Sequence, residues 1–320
     1  MPEWILTLWR AFGDPNTQWV LLGCLLLGLS SGVVGSFTFL RKQSLMGDAL
    51  AHAALPGVCI AFMLTGVKSI FLFLIGAAAA GLLATFGIGY ITRNSRIKQD
   101  AALGIILSVF FGVGIVLLTQ IQHSVGGNQS GLDKFLFGQA ASMVLKDVYM
   151  MSLISLFVIG SCVLLFKEFK LLSFDPGFAR GLGFPVPFLD QLLMFLIVVV
   201  VVAGIQAVGV VLMVAMLITP AVSARYWTER LGIMVLLSGL FGALSGVLGT
   251  LLSTLANNLP TGPLSVLAAT FLFLISLLFA PRRGIVSKLW IRYAVRRKVL
   301  SETAAWSGVP SESGRHSHHE

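Results

Sequence analysis

The chain is poor in charge. Of its 320 residues only 11 % are Asp, Glu, Lys or Arg, while 57 % are hydrophobic. A soluble domain carries about 25 % charged residues, because its surface must face water. The shortage excludes an ordinary soluble enzyme. Cysteine is scarce too: Cys24, Cys59 and Cys162 all lie in apolar runs and form no CxxC pair. Buried in such runs, Cys24 and Cys162 read as helix-packing residues. No GxxxxGK[ST] loop occurs, so the chain has no phosphate loop of its own with which to hydrolyse ATP. No HExxH occurs either, which removes the usual ligand pair of an intramembrane metalloenzyme. The weak alternation of a transmembrane β-barrel is also missing.

What the chain has instead is apolar length. Several runs exceed the ~20 residues that a helix needs to cross a bilayer. The expected fold is an all-α polytopic transmembrane bundle of eight or nine spans, covering residues 18–281. Residues 1–17, with Trp4 and Trp9, read as an interfacial N-terminal segment, since Trp favours headgroup depth. Residues 282–320 read as a basic amphipathic segment followed by a polar, disordered tail. That tail carries His316, His318 and His319, for which solvation is a simpler reading than metal binding. The first long apolar run has no basic leader and passes straight into further runs, the pattern of a retained span.

The net charge is +9, from 22 bases and 13 acids. In a membrane protein such an excess marks cytoplasmic loops rather than nucleic-acid binding. Arg41 and Lys42 follow the first span, Arg93, Arg96 and Lys98 the third, and Lys167, Lys170 and Arg180 the fifth. The segment after Pro281 is again basic. All of these fall on one side only if the long run 191–222 holds two short crossings with a turn near 203–209. Nine crossings are therefore expected, with the 257–263 loop outside.

One span carries unusual chemistry. SLMGDALAHAALPGVCIAFML, from Ser44, contains Asp48 and His52. At i, i+4 their side chains share one helix face. Ionisable groups inside a bilayer are costly and mark bundle interiors or aqueous paths. A carboxylate beside an imidazole is also a good donor pair for a divalent transition metal. The alternative is purely structural, with the two residues pairing or capping neighbouring helices. Pro56 removes the amide that would bond back to His52, so the backbone is expected to bend or open there. Cys59, seven residues past His52, is a possible weak further ligand, although a buried apolar thiol is the simpler reading.

A second stretch stands out in the polar segment 167–190: FDPGFARGLG. Asp175 suits an N-cap, Pro176 a first helical position, and Gly181 or Gly183 a stop. Phe174, Phe178 and Leu182 recur at i, i+4, i+8 and offer one apolar face.

Taken together, FTFLRKQSLMGDALAHAALPG, FDPGFARGLG, LITPAVSAR and NLPTGP resemble the membrane permease subunits of bacterial manganese, zinc and iron ATP-binding-cassette importers, the ABC-3 family. The resemblance covers most of residues 18–281. It implies a type II importer fold in the inner membrane, working with two ATPase subunits, an extracytoplasmic metal-binding protein and a second permease subunit. It implies no permanently bound cofactor, with manganese, zinc or iron as cargo. Asp48 and His52 match the family's residues of metal passage. Residues Phe174, Asp175, Pro176, Phe178, Ala179, Arg180, Leu182 and Gly183 match its ATPase-coupling loop. Membrane lipids are the remaining partner, and nucleic acid is not one. A secondary transporter would show inverted repeats and more membrane carboxylates than the single Asp48, and a siderophore or cobalamin path would be wider and less charged.

Overall fold

The computed structural model describes residues 13–66, 69–123, 143–255, 259–281 and 284–287. Among these the chain is helical, with no strand. The segments 1–12, most of the predicted 122–147 loop, and nearly all of the predicted basic amphipathic helix and tail lie outside the described residues.

The helices follow the apolar runs. They are α1 (Pro15–Leu40), α2 (Ser44–Thr65), α3 (Ile70–Asn94), α4 (Gln99–His123) and α5 (Leu145–Leu164), then two short helices, α6 (Phe166–Phe174) and α7 (Pro176–Gly181), and finally α8 (Val186–Val208), α9 (Val210–Trp227), α10 (Leu231–Ser253) and α11 (Thr261–Phe279). Eight of them are long and apolar enough to cross a membrane, and Leu212–Trp227 adds a shorter apolar helix. At 1.5 Å per residue, the 23 residues of α8 reach about 34 Å, a full bilayer core.

The contacts fix the direction of each helix. Cys24, Gly28 and Gly32 of α1 meet Gly246, Gly242 and Ser238 of α10, so these two run antiparallel. Ser155 Oγ of α5 donates to the Leu26 carbonyl at 3.1 Å and Met143 lies against Gly23, so α5 runs parallel to α1. Gly57 of α2 and Gly76 of α3 touch backbone to backbone. Asp190, near the start of α8, pairs with Arg41 at the end of α1, while Val208 at its other end sits against Gly262 at the start of α11. The chain then turns at Gly209, whose φ of 93° is open to glycine and strained for other residues. Leu212 is still beside Gly262, and by Trp227 the chain has reached Ser276 near the far end of α11, where Trp227 Nε1 donates to Ser276 Oγ at 2.9 Å. Residues 186–227 thus go out and back, giving the ninth passage the charge pattern required. The expected pair of short crossings is corrected in one respect: α8 is full length, because it begins at Val186 rather than 191, and only α9 is short.

This arrangement gathers the Arg41/Lys42, Arg93, Lys167/Lys170 and Arg225/Arg230 groups at one end of the bundle, as the positive-inside rule demands. The segment 167–190, read from sequence as a loop around one short helix, is corrected as well. It contains α6, whose Phe169 and Leu172 are buried against the bundle. Phe166, Phe169 and Leu172 recur at helical spacing, a signal masked by the interleaved Lys167, Glu168 and Lys170.

Cysteines placed at Leu259 and Arg230 are expected to react with a membrane-impermeant maleimide from opposite sides, Leu259→Cys from outside and Arg230→Cys only after permeabilisation. The three native thiols are buried and leave a low background. Labelling of both variants from the same side would restore a single long helix over residues 191–222.

Candidate functional site

Asp48 and His52 sit in the first half of α2, one and two turns from its start. His52 Nε2 lies 3.5 Å from Asp48 Oδ1. The His52 ring rests edge-on against Phe111 of α4, centroids 5.0 Å apart, which fixes its tilt. Leu55, one turn on, packs against Gly114 of α4, and Gly47 packs against Leu217 of α9. The helix is therefore held on both flanks, while the pair itself stays open: the side chains are 23 % exposed for His52 and 40 % for Asp48. In a span of this hydropathy, two open polar groups form a polar window on an otherwise apolar wall. Among the described residues no group of three or more His, Cys, Asp or Glu side chains gathers around a common point. The pair presents one carboxylate and one imidazole, and no third such side chain joins them among the described residues.

Cys59 is not brought into this pair. Seven residues at 1.5 Å each place it about 10 Å further along the helix axis, and its thiol is buried and donates to the Gly114 carbonyl at 3.9 Å. Of the bend or opening expected at Pro56, the opening is absent: α2 runs as one helix from Ser44 to Thr65 with Pro56 inside it. Pro56 still leaves the His52 carbonyl without its helical donor. The backbone contact of Gly57 with Gly76 and the Leu55–Gly114 contact brace the helix on either side of that gap.

The second candidate, 174–183, takes the form its residues predict. The Phe178 amide donates to Asp175 Oδ1 at 2.9 Å, Pro176 occupies the first turn, and Gly183 closes the helix with φ of 86° and an amide bonded to the Arg180 carbonyl. Phe174, Phe178 and Leu182 are 58, 57 and 56 % exposed, an apolar face presented outward at the basic end of the bundle. Ala179 is buried instead and anchors the short helix to the body, while Arg180 is exposed. The sequence reading missed Phe188, exposed in the first turn of α8.

It also missed the contact that ties the two candidates together. Arg41, read as a span-ending base, forms an ion pair with Asp190. Arg41 lies in the three-residue turn leading into α2, and Asp190 in the first helical turns after the 174–183 loop. A carboxylate at the end of an apolar run, 149 residues from its partner (190 less 41), leaves no local signal.

A model of the ABC 3 transport family matches residues 14–280. The chain belongs to the ABC 3 transport family. It is 58 % identical over 296 residues to the manganese transport system membrane protein MntC of Bacillus subtilis (strain 168), covering 92 % of this chain and 68 % of the relative. It is 48 % identical over 289 residues to the zinc transport system membrane protein TroC of Treponema pallidum (strain Nichols), covering 90 % of this chain and 97 % of the relative. Among solved structures, PsaBC from Streptococcus pneumoniae in complex with Fab matches with a TM-score of 0.76 and 38 % identity, over 88 % of this chain and 96 % of that one. This ABC 3 chain is a multi-pass membrane permease of a metal ABC transporter, not an enzyme, and its all-helical fold is that of the family.

Replacing Asp190 with Leu is expected to lower stability by about 2 kcal/mol, between the limits for exposed and buried pairs, because Arg41 is left largely buried and unpaired. The Arg41→Met/Asp190→Leu double variant should recover most of that loss. Thermal unfolding of the detergent-purified variants as a double-mutant cycle measures the coupling.

Proposed function

We propose that this permease passes a divalent transition metal into the cytoplasm of a bacterial cell, across the inner membrane, through a path on which Asp48 and His52 are the transient ligands. The observation that carries the reading is the open Asp48–His52 window, 3.5 Å between donors, on a helix of the transmembrane wall. Two protein ligands hold an ion long enough to replace part of its hydration shell yet release it readily, as conduction requires. Such a window must be covered in the working transporter, and a second permease subunit, identical or paralogous, is the cover proposed. An oxygen and a nitrogen donor without a thiolate suit manganese well, and the relative at 58 % identity is named for manganese. Zinc is the second reading, favoured by the relative named for zinc. Iron has no such named relative among those described.

Energy comes from separate ATP-binding-cassette subunits, since this chain has no phosphate loop. They dock on Phe174, Phe178 and Leu182, with Asp175, Pro176 and Gly183 shaping the loop, Arg180 at its rim and Ala179 as its anchor. An extracytoplasmic metal-binding protein delivers the ion. The permease holds no resident cofactor; the metal is cargo. A gradient-driven secondary transporter and an intramembrane metalloenzyme lose their support to the family match.

Asp48→Ala and His52→Ala are each expected to reduce uptake of radioactive or fluorescently reported manganese more than tenfold in proteoliposomes containing the assembled complex, with assembly unchanged. Ordinary uptake by both variants would sink the metal-path reading. Running the assay with manganese, zinc and iron in parallel ranks the cargo.

Phe178→Asp places an unpaired charge in an apolar contact, where loss of a central side chain costs ~2 kcal/mol or more. Co-purification of the ATPase should fall, and metal-stimulated hydrolysis with it. A variant that retains its ATPase and its stimulation would rule the 174–183 loop out as the docking element.

A further inference from the structure

A groove on another flank of the bundle has no part in the metal path. It encloses about 540 Å³ and is walled by Leu29 and Val33 of α1, Cys162 of α5, Phe166 of α6, and Gly232 and Leu236 of α10. None of its walls comes from α2 or α4, which carry Asp48, His52 and Phe111. The room arises from glycine. At Gly232 the nearest atom that an added Cβ would meet is the Phe166 ring at 3.7 Å, and Gly239 faces Leu29 and Val33. The groove runs from Phe166 and Gly232, at the basic end of the bundle, to Leu29 and Gly239 at mid-span, and exposed Leu236 lines its open side.

Bases flank its lining residues in sequence at the basic end. Lys167 follows Phe166 directly, and Arg230 stands two residues before Gly232; both are exposed, and neither has an ion-pair partner among the described residues. Lys170 and Arg225 lie nearby in sequence, the latter donating to the Glu229 carbonyl at 3.2 Å. Two acids oppose these four bases. Glu229 is exposed beside Arg230, while Glu168 has its Oε2 buried and so is turned in from the surface.

We propose that this groove binds one acyl chain of an anionic phospholipid from the leaflet at the basic end, with the phosphate held by Lys167 and Arg230. Lipid tails are as apolar as leucine, so a seated chain gains close packing but no transfer from water. Selectivity therefore rests on the headgroup, where each base near an anionic surface contributes attraction. Two such bases give a preference of roughly tenfold or more for phosphatidylglycerol over phosphatidylcholine.

Native mass spectrometry of the purified full chain, equilibrated with equal amounts of the two lipids, tests this. The wild-type chain should retain phosphatidylglycerol roughly tenfold over phosphatidylcholine. Lys167→Glu/Arg230→Glu should bind both lipids alike, and Lys167→Arg/Arg230→Lys should keep the preference. Gly232→Phe fills the groove from an exposed position and should lose the retained lipid whatever its headgroup. Equal retention of the two lipids by wild type, an undiminished preference in the charge-reversed variant, or unchanged lipid in Gly232→Phe would each overturn the assignment. So would spontaneous disulfide dimers of a Leu236→Cys variant in the membrane, which would place a second copy in the groove.

Discussion

Backbone-to-backbone contact between helices is the constraint on which the rest depends. Inside a bilayer, apolar side chains gain little by leaving lipid for protein, so helices associate through close packing and interhelical hydrogen bonds. In α1 and α10 that packing is achieved by omitting side chains. A Cβ on Gly28 would overlap the Gly242 carbonyl, and one on Gly32 would overlap the Ser238 carbonyl. Ser238 Oγ then donates to the Gly32 carbonyl at 2.6 Å, and on the other side of α1 Ser31 Oγ reaches the Met216 carbonyl at 3.2 Å. Helix α1 is thereby fixed between α9 and α10 and serves as the post against which the others are placed.

The helix bearing Asp48 and His52 is held in the same way. Gly57 meets Gly76 of α3, and Gly114 of α4 receives Leu55. These contacts occupy the flanks of α2 and leave the carboxylate and imidazole on the uncovered strip. The polar pair shares this uncovered strip with exposed Leu45, one turn before Asp48. Under the proposed import function, this lets one rigid helix present ligands to an ion without rearranging its own backbone, even past Pro56.

The route from the 174–183 segment to the polar pair is short and largely rigid. Phe174, Phe178 and Leu182 face outward, Ala179 and Phe169 anchor the same segment inward, and Asp190 grips Arg41 at the turn into α2. Phe37 of α1 packs edge-on against Phe169 with centroids 5.6 Å apart, a second tie between α6 and the end of α1. Any displacement of the 174–183 loop by a bound partner would load these two ties first.

Much of this was written in the chain. Run length and sparse charge determined an all-helical membrane bundle, because no other arrangement satisfies the backbone of such runs in lipid. The placement of bases determined the reversal within 191–222, which the structure puts at Gly209. Asp175, Pro176 and Gly183 determined the ends of α7, since caps are local hydrogen bonds. The i, i+4 spacing of Asp48 and His52 determined that they share a face. Tertiary structure alone decided the remainder. It turned that face away from the bundle core, left Cys59 buried against Gly114, carried the helix through Pro56, folded Phe166–Phe174 into a helix, and brought Asp190 to Arg41. Each of these depends on which surfaces meet after the chain has crossed the membrane several times. Such meetings are set by shape between distant segments, and periodicity along one segment carries no record of them.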